Sequence, residues 1–425
     1  MSLRLAASMG ALQTLVSMSL SFASIKITSV YLGPAGLGTL GQLNHFMAMM
    51  KAVIVAGVGT GLVRRTAQLQ DDPPSRDRVI STALRAVLAA GLVASLVVAL
   101  GSEWLASELL HDAQLIPALW IFAAAFSFGL VHTVVLSCAN GAKDFRTLAF
   151  INIGTNIGAF VLIALFAPTF GLKGALFALA GLPVFSALIA LALAHRHKWW
   201  PRRVFSHQFV RQELPSLMAF VPLSIISAVG MPLVQLLIRE SVAASDGMRA
   251  VGFLQGVMRI SDLYLGVATG VFAMYFFPRF TEIREADELT RELTRGLLVI
   301  VPAVSVLSLL IYLFRDWVVR IVFTPEFLPM RDLFAWQMIG NTFKIAGWLF
   351  GFVLLAKANS MAMAALEVAA LSGWWLLAVV LVSNQGVGGA PQAYALTYAV
   401  YLVVTASGVG WLIRRMRLRQ RGAAT

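Results

Sequence analysis

Charge is scarce in this sequence. Only 12% of its 425 residues are Asp, Glu, Lys or Arg, where soluble domains carry about 25%. Another 59% are aliphatic, aromatic or Cys, and the mean hydropathy is +0.81, so a water-soluble fold would lack the polar surface to cover its core. Cysteine is nearly absent: a single thiol, Cys138, excludes a disulfide scaffold. Glycine, at 34 residues, is too sparse for a collagen-like fibre. The sequence has no P-loop, no nucleophile elbow and no His/Cys cluster at metal-ligand spacing. That excludes an ATP-driven pump and leaves no cofactor, metal or catalytic residue to expect. What the chain does have is long apolar runs, and these mark an all-α integral membrane protein.

An apolar helix needs about 20 residues to cross the hydrocarbon of a bilayer. Runs of that length lie near 8–30, 37–62, 81–101, 115–139, 146–167, 173–194, 214–237, 250–276, 296–314, 332–355, 360–382 and 393–413, which predicts twelve transmembrane helices. The first is full length, with one Arg4 ahead of it and no clear small-residue cleavage site, so it reads as a retained helix and not a signal peptide. With both termini in the cytoplasm, the inner segments hold 23 of the 33 Lys and Arg residues. The outer segments hold six: Lys173, Arg239, Arg249, Arg315, Arg320 and Arg331. That asymmetry sets the orientation. Anionic lipid facing the basic inner loops accounts for the net charge of +13, so no nucleic-acid partner is implied. The basic, Trp-containing stretch His195–Arg203 reads as an interfacial belt, and Cys138 as an unpaired thiol.

Three weak internal matches share an offset. Ala139-Asn140 pairs with Ala358-Asn359, Ala175–Leu179 with Gln392–Leu396, and Gly41 and Gly59 with Gly252 and Gly270, at 219, 217 and 211 residues. An even number of helices per repeat gives two lobes of like orientation. The expected lobes are 1–194 and 214–425, joined by the basic cytoplasmic segment 195–213, around a central cavity.

An ionisable group at mid-membrane costs about 2.5–3.5 kcal/mol, so those retained are site candidates. Four cations lie inside spans: Lys26, Lys51, Arg259 and Lys344. Lys26 sits late in its span, where a lysine can snorkel. Lys51 is mid-span, with Asn44 seven residues earlier on the same face and His45 beside it. Gln255, Arg259 and Asp262 form a stripe down the eighth span, with Arg259 and Asp262 close enough to pair. Asn341 and Lys344 repeat the theme in the tenth. Glu367 is the lone mid-span acid of the eleventh, and His132 in the fourth reads as a core residue. Substrate binding is expected from Lys26, Asn44, Lys51, Gln255, Arg259, Asn341 and Lys344, and ion coupling from Asp262, Glu367 or His45. Four cations against two acids favour an anionic solute, since ammonium and guanidinium groups are phosphate ligands.

Gly57-Val-Gly59-Thr-Gly61 lacks the βα turn of a dinucleotide site and reads as close helix packing or a bendable helix, as do Gly154/Gly158 and Gly266/Gly270. Pro215, Pro222 and Pro232 share the seventh span, and Pro222 and Pro232 are the expected hinge.

Lys26, the stretch Tyr31-Leu-Gly-Pro-Ala-Gly-Leu-Gly38 and Arg64-Arg-Thr-Ala-Gln68 resemble a known family. It is the polysaccharide-transporter branch of the multidrug/oligosaccharidyl-lipid/polysaccharide exporter superfamily: the Wzx-type flippases of O antigen and enterobacterial common antigen. The likeness in length and layout covers the chain, and the motif covers residues 20–68. The resemblance implies a V-shaped pair of six-helix bundles in the bacterial inner membrane. It implies an undecaprenyl-pyrophosphate-linked oligosaccharide turned from the cytoplasmic to the periplasmic leaflet, with a polysaccharide polymerase or chain-length regulator as a partner in the same membrane. Basic cavity residues would engage pyrophosphate or acidic sugars, as Lys26, Lys51, Arg259 and Lys344 could. Drug-exporting relatives often keep an acid in the first span, where this chain has Lys26. The alternatives are a cation-coupled exporter of drugs or small metabolites with the same fold, and a membrane-embedded glycosyltransferase or polymerase. The latter usually needs carboxylates or a large loop, and the longest outer segment, 313–331, holds only Asp316 and Glu326.

Overall fold

A computed structural model describes residues 3–55, 58–109, 112–201, 204–205, 209–218, 221–357 and 360–422. The described backbone is almost wholly helical, as hydrocarbon demands, because each amide and carbonyl must be satisfied within its own segment. Among the described residues, eight helical stretches are long and apolar enough to cross a membrane. This is a multi-pass membrane protein.

Four of those stretches run 43 to 58 residues, well beyond the roughly 20 that one crossing needs. Each is interrupted by a glycine with left-handed backbone: Gly33 (φ 64°), Gly171 (φ 57°), Gly247 (φ 77°) and Gly386 (φ 65°). Only glycine adopts this conformation without a Cβ penalty. The interruptions fall in the gaps between the apolar runs numbered one and two, five and six, seven and eight, and eleven and twelve.

The chain divides into two compact units, Met1–Leu233 and Val234–Thr425. The first holds α1 (Leu3–Val55), α2 (Val58–Gln68), α3 (Pro73–Leu100), α4 (Ile116–Gly141), α5 (Phe145–Ala194) and the short α6 (Leu214–Met218). There α5 packs along both α1 and α4, and α4 also carries α2 and α3. Helix α7 (Val221–Val271) leads into the second unit, which holds α8 (Phe277–Glu282), α9 (Ala286–Leu313), α10 (Arg315–Val322), α11 (Phe334–Lys357), α12 (Ser360–Gln385) and α13 (Gly389–Gly422). Here α11 is central, contacting α8, α9 and α13. The two units repeat one plan. Gly33 and Gly247 lie 214 residues apart, Gly171 and Gly386 lie 215 apart, and the 28-residue helices α3 and α9 start 213 apart. Ala358-Asn359, one of the sequence matches, lies outside the described residues. Within the second unit, Asp246 accepts the Val387 N–H and so ties the Gly247 and Gly386 interruptions together.

Small residues pack helices at some of the expected places and not at others. A Cβ on Gly158 would fall 1.7 Å from the Phe185 ring, and one on Gly154 3.1 Å from Ile189. Gly266 and Gly270 meet nothing within 4 Å, so that pair is not a packing motif. Gly57 lies outside the described residues. Pro232 sits inside α7, which stays helical there; the non-helical residue is Gly247. The side chain of Pro222 lies outside the described residues.

The segment after α5 is docked on the first unit. Asp144 caps α5 by accepting the Thr147 N–H (3.1 Å), and it also accepts from Thr147 Oγ1 (2.8 Å) and the Trp199 indole (3.0 Å). His197 Nδ1 lies 3.1 Å from the same carboxylate, and its ring stacks on Trp199. Arg76 donates to the Lys198 carbonyl at 2.8 Å, and Arg65 donates to both oxygens of Glu213 at 2.8 and 2.7 Å. Trp199 and Trp200 are buried, which corrects their reading as a lipid-interface belt: the Asp144 carboxylate supplies the Trp199 indole N–H with its partner inside the protein.

Burial opposes ionisation of Asp144, but its donors and the His197 charge hold its pKa below the usual carboxylate value. Its contribution to stability is therefore complete above the unfolded pKa of about 4 and is lost as pH falls through the lowered folded value. Asp144→Ala should cost about 1 kcal/mol as a lost helix cap. Thermal unfolding at pH 7 should show the deficit, and the gap from wild type should narrow below about pH 4. A gap independent of pH would show that the charge of Asp144 is irrelevant.

Candidate substrate site

In the first unit a cavity of about 250 Å³ opens between α1, α4 and α5. Helix α1 places Asn44 and Lys51 on its wall because residues seven apart share a helix face. Thr155 and Ser186 reach it from α5, and His132 from α4. His132 is buried, as a core residue is, and its Nε2 lies 3.4 Å from Thr155 Oγ1, in the field of the Lys51 charge. No Asp or Glu is among the described residues of this wall. A cavity with hydroxyl, amide, imidazole and ammonium groups and no acid suits a polar or anionic guest. Lys26 and His45, also on α1 and half-buried, are not among its lining residues.

The second unit buries a polar network that the sequence shows only in part. Arg239, assigned above to an outer loop, lies inside α7 and is 1% exposed. Its Nε and Nη2 both donate to Gln255 Oε1, at 3.1 and 2.6 Å, and its Nη1 to the Gln235 carbonyl at 3.0 Å. The charge of Arg239 ends the apolar run in the sequence, yet the helix continues to the Gly247 interruption and Gln255 supplies the acceptor. Gln235 one turn before Arg239 was the available signal, since two polar residues at helical spacing in an apolar run mark an inward stripe. Arg239 and its neighbour Glu240, both inside this helix, bring the intramembrane tally to five cations against three acids.

Asn341 on α11 is the hub of the network, at 0% exposed. Its Nδ2 donates to Ser261 Oγ (2.9 Å) and the Tyr264 hydroxyl (2.6 Å), and its Oδ1 accepts from Gln337 (3.3 Å) and the Tyr394 hydroxyl (2.9 Å). Both ends of its amide are engaged by protein groups, as is the carbonyl end of Gln255. Arg259 is half-buried and Asp262 exposed. Among the described residues no N···O contact within 4.0 Å joins them, so the expected pair does not form; Asp262 instead lies in the field of Lys344, Arg259 and Arg239. Glu367 on α12 lies electrostatically near Tyr398 and Tyr401.

The sequence matches, over residues 31–332, the family described as polysaccharide biosynthesis protein. The chain belongs to that family. Within reach of this polysaccharide biosynthesis family member is the Lipid III flippase of Escherichia coli (strain K12), 28% identical over 418 residues that make up 98% of this chain and 100% of that protein. Among solved structures, an inward-facing multidrug resistance MATE transporter of the MOP superfamily superposes with a TM-score of 0.81 at 16% identity, covering 94% of this chain and 95% of that one. The lipid II flippase MurJ, in an inward closed conformation, gives 0.74 at 13% identity, covering 95% and 87%. The family member therefore has the MATE and MurJ transporter fold.

Proposed function

We propose that this protein is a flippase that turns an undecaprenyl-pyrophosphate-linked oligosaccharide from the cytoplasmic to the periplasmic leaflet of the bacterial inner membrane by alternating access. The observation that carries this reading is the excess of cations within membrane-crossing helices: Lys26 and Lys51 in the first unit, and Arg239, Arg259 and Lys344 around a single nearby acid, Asp262, in the second. End-to-end similarity to a Lipid III flippase supports the substrate class. Each interrupted stretch crosses twice, giving twelve crossings in two six-helix lobes with both termini in the cytoplasm, a count supported by the basic inner segments. Residues 195–213 are the cytoplasmic connection between the lobes.

Lys51, Arg259 and Lys344 engage the anionic head group, with Lys26 nearer the outer end and Asn44 beside Lys51. Gln255 and Asn341 act by holding Arg239 and Tyr394 in place. Asp262 is the first candidate for ion coupling, ahead of Glu367 and His45, and Pro222 and Pro232 are the hinge positions. Moving a pyrophosphate outward carries about two negative charges toward the positive side, which the membrane potential assists by roughly 4–5 kcal/mol per 100 mV. A polymerase or chain-length regulator in the same membrane would receive the product.

The test is genetic with a chemical readout. Deleting the gene should make lipid-linked oligosaccharide accumulate on the cytoplasmic leaflet, with loss of surface glycan. Wild type should restore it, and a Lys51→Ala/Arg259→Ala double variant present at normal levels should restore less than about a tenth, the loss of roughly 1.4 kcal/mol of head-group interaction. Normal glycan with altered drug sensitivity would overturn the reading in favour of a cation-coupled exporter.

A further inference from the structure

Lys344 is held in an unusual way. Its Nζ lies 4.7 Å from the Trp348 ring centroid, 5.2 Å from that of Tyr398 and 5.5 Å from that of Tyr394, and the residue is 9% exposed. Trp348 is one turn along α11, while Tyr394 and Tyr398 are one turn apart on α13. Gly340 lets the two helices approach, since a Cβ there would fall 2.3 Å from the Tyr394 ring. Among the described residues the ammonium makes no hydrogen bond and no ion pair within 4.0 Å; Asp262 acts on it only as a field.

The rings are themselves fixed. Tyr394 and Tyr398 pack edge to face at 4.8 Å, and the Tyr394 hydroxyl donates to Asn341, whose amide is anchored in turn on Ser261 and Tyr264. Ring faces attract a cation through their quadrupole, but they leave its three N–H donors without oxygen acceptors. A carboxylate partner would have neutralised the charge and occupied the donors. Three aromatic faces attract the charge and form no hydrogen bond with its donors. The same geometry argues against a cationic cargo at this point, because the protein's own ammonium already occupies the cage. A compact ammonium with open donors fits a phosphate oxygen.

We propose that Trp348, Tyr394 and Tyr398 are positioning residues that hold Lys344 as a charged ammonium with open donors for a phosphate oxygen of the transported lipid. This rests on the lipid-pyrophosphate reading above. The full-length protein, reconstituted in liposomes, is assayed for binding of farnesyl pyrophosphate, with inorganic pyrophosphate as competitor, and for flipping of its lipid-linked oligosaccharide. Tyr398→Phe keeps the ring face and should bind within about twofold of wild type, whereas Tyr398→Leu should bind about 3- to 30-fold more weakly. Adding Tyr398→Leu to Lys344→Met should cost nothing further, because the lysine through which the ring acts is gone. Trp348→Leu, at the half-buried side of the cage, supplies the same comparison should Tyr398→Leu not fold. Competition by inorganic pyrophosphate alone, equal to that by the prenyl form, would assign the site to free phosphate and overturn the lipid assignment. Wild-type binding and flipping with Phe and Leu variants alike would overturn the cage alone. Failure of the wild type both to bind and to flip would overturn the underlying reading and the cage with it.

Discussion

Gln255→Leu should strip the protein of most of its stability, and adding Arg239→Met should restore much of it. In the folded chain Arg239 and Gln255 are 1% and 2% exposed, and two guanidinium N–H groups share Gln255 Oε1. Replacing the glutamine removes the acceptor of two guanidinium N–H groups and leaves the charge only the Gln235 carbonyl, which costs about 3 kcal/mol or more for a buried charged donor. Replacing the arginine instead removes the charge and leaves an amide carbonyl without its donor, a loss of about 1–3 kcal/mol. Replacing both with apolar residues of similar reach leaves neither group unsatisfied, so the double variant should be more stable than Gln255→Leu alone. Unfolding temperatures of the purified protein in detergent, with membrane yield as a second readout, check the ordering. A Gln255→Leu variant as stable as wild type would show that the pair is not structural. Because the double variant folds without the Arg239 charge, its flipping rate reports separately what that charge contributes to transport.

Gly61→Ala should also be strongly destabilising, and Gly266→Ala should not. A Cβ on Gly61 would fall 2.5 Å from the Leu217 carbonyl oxygen and 2.8 Å from its Cα. Both are backbone atoms, which cannot rotate away as a side chain can, so α2 and α6 would have to move apart. Overpacking of this kind costs about 1–3 kcal/mol. At Gly266 nothing lies within 4 Å, and alanine there gains up to about 1 kcal/mol of helix propensity. The two single-methyl additions should therefore shift the unfolding temperature in opposite directions. Equal shifts would mean that α2 and α6 are not in backbone contact.

Much of the fold was legible because lipid imposes it segment by segment. Each apolar run reports its own transfer from water to hydrocarbon, and the left-handed glycines 33, 171, 247 and 386 lie in gaps between runs that hydropathy already marked. Lys51 and Asn44 were placed on one face by their spacing alone, and the cavity wall contains both. Arg239 was misplaced because a charge in an apolar run resembles a span boundary until its partner is known, and that partner lies 16 residues on, beyond the Gly247 interruption. Trp199 and the Tyr394 and Tyr398 rings near Lys344 are not legible in the sequence for the same reason: their partners lie far along the chain.

The sequence by itself determined a multi-pass helical protein and an excess of positive charge within its apolar helices, since these follow from how each segment partitions between water and lipid. Only the tertiary structure decided which of those charges are engaged. Arg239 is clamped by Gln255, Arg259 and Asp262 do not pair, and Lys344 faces three rings. Hydrogen bonds and ring contacts act over a few ångströms between residues brought together by packing, and no single segment's composition records them.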